Sequence, residues 1–91
     1  PQSEIVTSYY LRLRVEDKPG VLADITRILA DQEISIDAMF QREPDEGEDQ
    51  ADIIMLTHET REKNIDAAIA KINSLPVVRD KVTRLRLEAL L

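Results

Sequence analysis

From Tyr10 to Glu16 the chain alternates, with Leu11, Leu13 and Val15 on one side and Tyr10, Arg12, Arg14 and Glu16 on the other. A period of two predicts a strand with one buried and one open face. The alternation stops at Asp17-Lys18-Pro19-Gly20. Leu22, Ile25, Ile28 and Leu29 then recur at helical spacing, with Asp24, Arg27 and Asp31 opposite them, which predicts an amphipathic helix of about three turns. Ile34, Ile36, Ala38 and Phe40 next alternate with Ser35, Asp37, Met39 and Gln41, a second strand ending near Pro44.

The run "EPDEGEDQ" combines a proline, a glycine and five carboxylates and predicts an exposed hairpin connection. Ala51 to His58 forms a third strand whose centre, "IIML", is apolar on both faces. Thr60 is placed to cap a second helix with Ile65, Ala68, Ile69 and Ile72 as its buried stripe, and Leu75-Pro76 ends it. Val82 to Glu88 alternates again, with Leu85 and Leu87 predicted inward and Arg84 and Arg86 outward. The order β-α-β-β-α-β, with one-faced strands and helices, predicts an α+β fold. Right-handed crossovers put both helices on one face of a four-stranded antiparallel sheet of order 4-1-3-2, the ferredoxin-like arrangement.

The other face is then open. Arg12, Arg14, Arg84 and Arg86 are expected there as a basic stripe interleaved with carboxylates. Met39, Ile54 and Leu56 are expected there as an apolar patch of the kind that marks an interface.

Composition narrows the function. Ninety-one residues make a single small domain, and 33 % charged with 43 % hydrophobic residues is a folded composition. The net charge of −6 repels phosphate backbones and anionic membrane surfaces, so neither nucleic acid nor membrane is an expected partner. The absence of cysteine removes disulfides, thiolate metal sites and thiol nucleophiles, and fits a cytoplasmic protein. His58 is the single histidine and the four serines have no triad partners in view, so neither a catalytic constellation nor a metal site is expected. Residues 1–8 read as a polar lead or linker.

The Asp17–Leu22 turn carries the most chemistry. Pro19 suits a first-turn position, and Gly20 lets a backbone or ligand approach because it has no Cβ. The first helix amides, around Gly20, Val21 and Leu22, lie at the positive end of the helix dipole and suit a carboxylate. Asp17 either caps the helix or turn, or accepts hydrogen bonds from an ammonium group; in the second case one stretch offers both poles for a zwitterionic amino acid.

The block "VEDKPGVLADITRILADQEISIDAM" resembles the ACT domain, a ferredoxin-like regulatory module, and the domain is expected over residues 9–89. More narrowly, "YYLRLRVEDKPGVLADITRIL", "ISIDAMFQREP" and "DIIMLTHETREKNIDAAIAKI" resemble the carboxy-terminal ACT domains of bacterial homoserine dehydrogenases. The resemblance implies a ligand held between two modules, contacted by the turn before the first helix of one and the start of the second strand of the other. Carried onto this chain, those positions are Asp17, Gly20, Val21, Leu22 and Ser35. It further implies L-threonine as the feedback ligand and a homodimer or higher homo-oligomer. It implies no cofactor in this domain, NAD(P) belonging to the catalytic part of a parent enzyme. Members often carry Asn at one of the polar positions, where this chain has Asp17 and Ser35. The alternative is a ligand-free ACT-type oligomerisation module.

Overall fold

The computed structural model describes residues 5–42 and 44–87. The expected polar lead, in residues 1–4, and the expected domain end at residue 89 lie outside the described residues. The elements follow as β1 (Val6–Glu16), α1 (Val21–Asp31), β2 (Ile36–Arg42), β3 (Gln50–Thr57), β4 (Thr60–Arg61), α2 (Glu62–Asn73) and β5 (Thr83–Leu87). Strand β3 lies between β2 and β1, and β5 pairs with β1, all antiparallel. This is the expected ferredoxin-like order with one addition, the two-residue β4, which pairs with Val6 and Thr7.

The core lies between this sheet and the two helices. Tyr9, Leu11, Leu13 and Val15 of β1 and Ile53 and Met55 of β3 are buried with Val21, Ile25 and Leu29 of α1 and Ile65, Ala68 and Ile72 of α2. The alternation of β1 therefore does what its pattern predicts, starting four residues earlier at Val6. Thr57 is also buried, and its hydroxyl accepts the Tyr9 amide at 3.0 Å where the β1–β3 ladder ends.

Four expectations are corrected. Ile34 is not in β2: it is the buried residue closing α1. Its amide bonds to the Leu29 carbonyl and the Glu33 amide to that of Ala30, with Glu33 at φ 59. This is the helix-ending motif that normally places glycine in the left-handed position and seats an apolar residue after it. Strand β2 therefore starts later, and its register shifts between Ile36 and Ala38. Met39 consequently pairs with Met55 on the helix side, while Phe40 takes the open-face position opposite Ile54. Ile54 and Leu56 do lie on the open face, in line with Arg12 and Tyr10.

Thr60 does not cap α2. It is buried in β4, and Arg61 stands at the helix start without a side-chain cap bond. The Glu62 amide bonds instead to the Ile5 carbonyl at 2.9 Å. Strand β5 is inverted relative to expectation: Arg84 and Arg86 pair with Leu11 and Tyr9 on the helix side, and Leu85 and Leu87 face outward. Arg84 bonds to Asp66, and Arg86 bonds to Glu62 at 2.5 Å. Carboxylates on α2 make the helix side the favourable one for these arginines.

Among the described residues the buried Tyr9 hydroxyl meets no hydrogen-bond partner. Burial pushes its pKa up, and the nearby Glu62 charge adds to the shift against the opposing Arg86 and Arg84. An unmatched buried hydroxyl costs free energy that a phenyl ring does not. Tyr9→Phe is expected to leave stability unchanged or raise it by up to about 1 kcal/mol. A urea denaturation midpoint lowered by Tyr9→Phe would show that the hydroxyl is satisfied in solution.

Candidate functional site

The β1–α1 turn is shaped by one glycine. Gly20 occupies the helix N-cap at φ 84, and among the described residues no side chain caps the helix, so Asp17 does not serve that role. A Cβ built on Gly20 would meet nothing within 4 Å. The glycine is thus required by its backbone angle, and the space in front of it is open. The Asp24 amide makes the first helical bond, to the Gly20 carbonyl at 3.0 Å, and the Val21 amide reaches the Lys18 carbonyl at 3.4 Å. Among the described residues the Gly20 and Leu22 amides meet no acceptor, and they sit at the positive end of α1.

Asp17 is exposed, and its amide donates to the Asp49 carbonyl at 2.8 Å. The backbone of the turn is held from the other side by the returning chain: the Glu16 amide bonds to the Val77 carbonyl, and the Arg79 amide to that of Arg14. Arg79 also reaches Glu16 at 2.9 Å and Asp49 at 3.5 Å, and Lys18 reaches Glu16 at 2.9 Å. Nothing in the local sequence marked Arg79, because its position depends on where the chain returns after α2.

The Lys18 hydrogen bond, followed by the charges of Lys18 and Arg79, holds the Glu16 carboxyl below the usual glutamate range despite a partial opposing effect of burial. A carboxyl with a lower pKa folded than unfolded stabilises the fold above its unfolded value, and that stabilisation disappears as pH falls through the folded value. Stability should therefore decline on acidification below about pH 4.5, and Glu16→Gln should flatten that limb. An unchanged acid limb in urea titrations of Glu16→Gln would count against this role.

Ser35 is exposed and lies at the opposite end of the sheet. Its carbonyl accepts the His58 amide at 2.9 Å, just beyond the end of β3, whereas the Asp17 amide is bonded just before the start of β3. The eight residues of β3 separate these ends by roughly 25 Å. The fold brings Asp17, Gly20, Val21 and Leu22 together and leaves Ser35 apart from them. His58 is also exposed, 3.5 Å from Asp37. Among the described residues no group of three or more His, Cys, Asp or Glu is arranged to hold a metal, and no helix is long and apolar enough to cross a membrane.

Comparison with known proteins places this geometry. The ACT domain family model matches residues 9–77. The chain is 69 % identical over 90 residues to a homoserine dehydrogenase of Methylobacillus glycogenes, covering 99 % of this chain and 22 % of that protein. It is 42 % identical over 90 residues to the homoserine dehydrogenase of Neisseria gonorrhoeae, covering 99 % of this chain and 20 % of that protein. The crystal structure of a homoserine dehydrogenase from Thiobacillus denitrificans superposes with a TM-score of 0.86 at 60 % identity, over 97 % of this chain and 19 % of that one. The ACT domain of a Chlorobium tepidum GTP pyrophosphokinase shares the fold, at TM-score 0.70 and 16 % identity, over 89 % of this chain and all of that one. The chain spans about one-fifth of the length of the homoserine dehydrogenases it matches. With the family model spanning most of its length and the ferredoxin-like sheet and helices in place, this chain belongs to the ACT domain family.

Proposed function

We propose that this ACT domain is the feedback sensor of a homoserine dehydrogenase and takes up L-threonine between two copies of the domain. The observation that carries the reading is the start of α1, where among the described residues no side chain bonds the cap: a positive-φ glycine with open space before it, Gly20 and Leu22 amides that meet no acceptor there, and the exposed Asp17 beside them. In this reading the threonine carboxylate is received by the amides around Gly20, Val21 and Leu22, and its ammonium by Asp17. Ser35 contributes from a second copy, since in one copy it stands at the far end of the sheet.

Inhibition then follows only if threonine binds one state of the whole enzyme more tightly than another. The oxidoreductase chemistry with NAD(P) would belong to the remaining four-fifths of such an enzyme. A cytoplasmic setting accompanies this biosynthetic reading.

Calorimetric titration with L-threonine tests the proposal, with L-lysine, L-serine and L-isoleucine as comparators. Saturable heat with threonine is expected, and Asp17→Ala should weaken it at least tenfold while circular dichroism stays unchanged. Equal affinity in Asp17→Ala removes that residue from the site. No heat and no thermal stabilisation with any amino acid would favour the ligand-free assembly module.

A further inference from the structure

Backbone rungs reach the β1–α1 turn along both edges of β1. On the β3 edge the Asp17 amide bonds to the Asp49 carbonyl at 2.8 Å. On the other edge the Glu16 amide bonds to the Val77 carbonyl at 2.8 Å and the Arg79 amide to the Arg14 carbonyl at 2.9 Å. Beyond these rungs the turn is held by the Lys18 amide on the Glu16 carbonyl at 3.0 Å and by a long 3.4 Å bond from the Val21 amide to the Lys18 carbonyl. A stretch so sparsely bonded opens at low cost, so the place of Asp17 depends on the side chains around it.

Arg79 spans both edges. Its backbone lies on the side away from β3, since Val15 bridges to Val78 there and pairs with Ala51 on the β3 side. Its guanidinium nonetheless reaches the β3 side: one nitrogen, Nη2, stands 2.9 Å from Glu16 Oε1 and 3.5 Å from Asp49 Oδ2. The side chain thus crosses the end of β1 and joins the return after α2 to the β2–β3 connection. The second Glu16 oxygen, Oε2, receives Lys18 Nζ at 2.9 Å. One arm therefore runs from Arg79 through the Glu16 carboxylate to Lys18, and the other through Asp49 to the Asp17 amide. Asp17 stands between the two points of attachment. The arms are unequal, because the Glu16 side chain is 20 % exposed and that of Asp49 81 %, so water screens the second far more than the first.

We propose that Arg79 is a positioning residue of the amino-acid site: by bridging Glu16 and Asp49 it fixes Asp17 beside the start of α1, and through Asp17 it sets the affinity for the ligand's ammonium group. Arg79 acts through these carboxylates and touches no ligand. The role in affinity rests on the threonine reading of the turn, whereas the bridge and its hold on Asp17 are measurable without any ligand.

Without ligand, amide hydrogen exchange of the 91-residue chain is compared with that of Arg79→Ala. The Asp17 amide is expected to exchange about fivefold faster in the variant, the effect of one partly shielded ion pair. The His58 amide, bonded to the Ser35 carbonyl at the far end of the sheet, should exchange as in the parent. With L-threonine, calorimetry should show an affinity about fivefold lower in Arg79→Ala, partly recovered in Arg79→Lys. In the Asp17→Ala background Arg79→Ala should cause no further loss, because residues that act as one unit are not additive. An arginine that merely supports the fold would weaken binding equally in both backgrounds, and that result overturns the proposal. An unchanged Asp17 exchange rate in Arg79→Ala overturns it as well. Should circular dichroism show Arg79→Ala unfolded, Asp49→Ala cuts the exposed arm and takes its place in both measurements. A parent chain that gives no heat with threonine counts against the sensor, and the hold of Arg79 on Asp17 is then decided by the exchange rates alone.

Discussion

Leu13→Ala should be among the most damaging single truncations in this domain, costing about 3 to 4 kcal/mol. Leu13 is 0 % exposed and pairs with Ile53 in the middle of the sheet, beneath both helices. Removing its terminal isopropyl group forfeits the transfer free energy of three carbons and leaves a void. The surrounding strands, held by ladders on both sides of β1, have little freedom to close it. For a domain of this size such a loss lowers Tm by roughly 15 to 25 °C and consumes a large part of a total stability of about 5 to 15 kcal/mol. Leu85→Ala removes the same atoms from the open face, where the side chain is 57 % exposed, and should change monomer stability by no more than about 0.5 kcal/mol. Thermal and urea unfolding of the two variants makes the comparison. Equal losses would mean that the two faces of the sheet are not distinguished as described.

Arg86→Ala is expected to cost about 2 kcal/mol, through a charge left behind more than through contacts removed. The Glu62 side chain is 12 % exposed and accepts from Arg86 at 2.5 Å. Without the guanidinium, a nearly buried carboxylate faces the apolar end of the core beside Tyr9. The figure is set below that of a fully buried pair because Arg86 is 42 % exposed and water already screens it. Glu62→Gln in the same background should recover part of the deficit, because it removes the stranded charge and keeps the side-chain shape. An Arg86→Ala deficit that Glu62→Gln leaves undiminished, measured by urea denaturation, would rule out the stranded charge as its cause.

The sequence pattern made β1, α1 and the buried stripe of α2 legible because each rests on local periodicity with unmixed faces. It failed where the arrangement depends on distant groups. The leucines of β5 look like core residues until the carboxylates of α2 are known to face Arg84 and Arg86. Ile34 reads as part of a strand because a Glu in the left-handed position of a helix end is uncommon, so the stop at Glu33 gives no glycine signal. Thr60 has the chemistry of a cap, yet the backbone carbonyl of Ile5 serves the Glu62 amide first. In the candidate site, the Pro19-Gly20 pair made the turn legible. The share of Arg79 in it could not be read, since it is delivered by a return of the chain some sixty residues later.

Strand β1 is hydrogen-bonded along both of its edges, to β3 on one and to β5 on the other, with β4 joining at its start. Force applied along it loads its rungs in parallel, whereas an edge strand such as β2 opens one rung at a time. A displacement entering through β1 should therefore move the sheet as a rigid plate and not fray it. Hydrogen exchange reports the same asymmetry: amides of β1 should be the last to exchange, and those on the outer edge of β2 among the first.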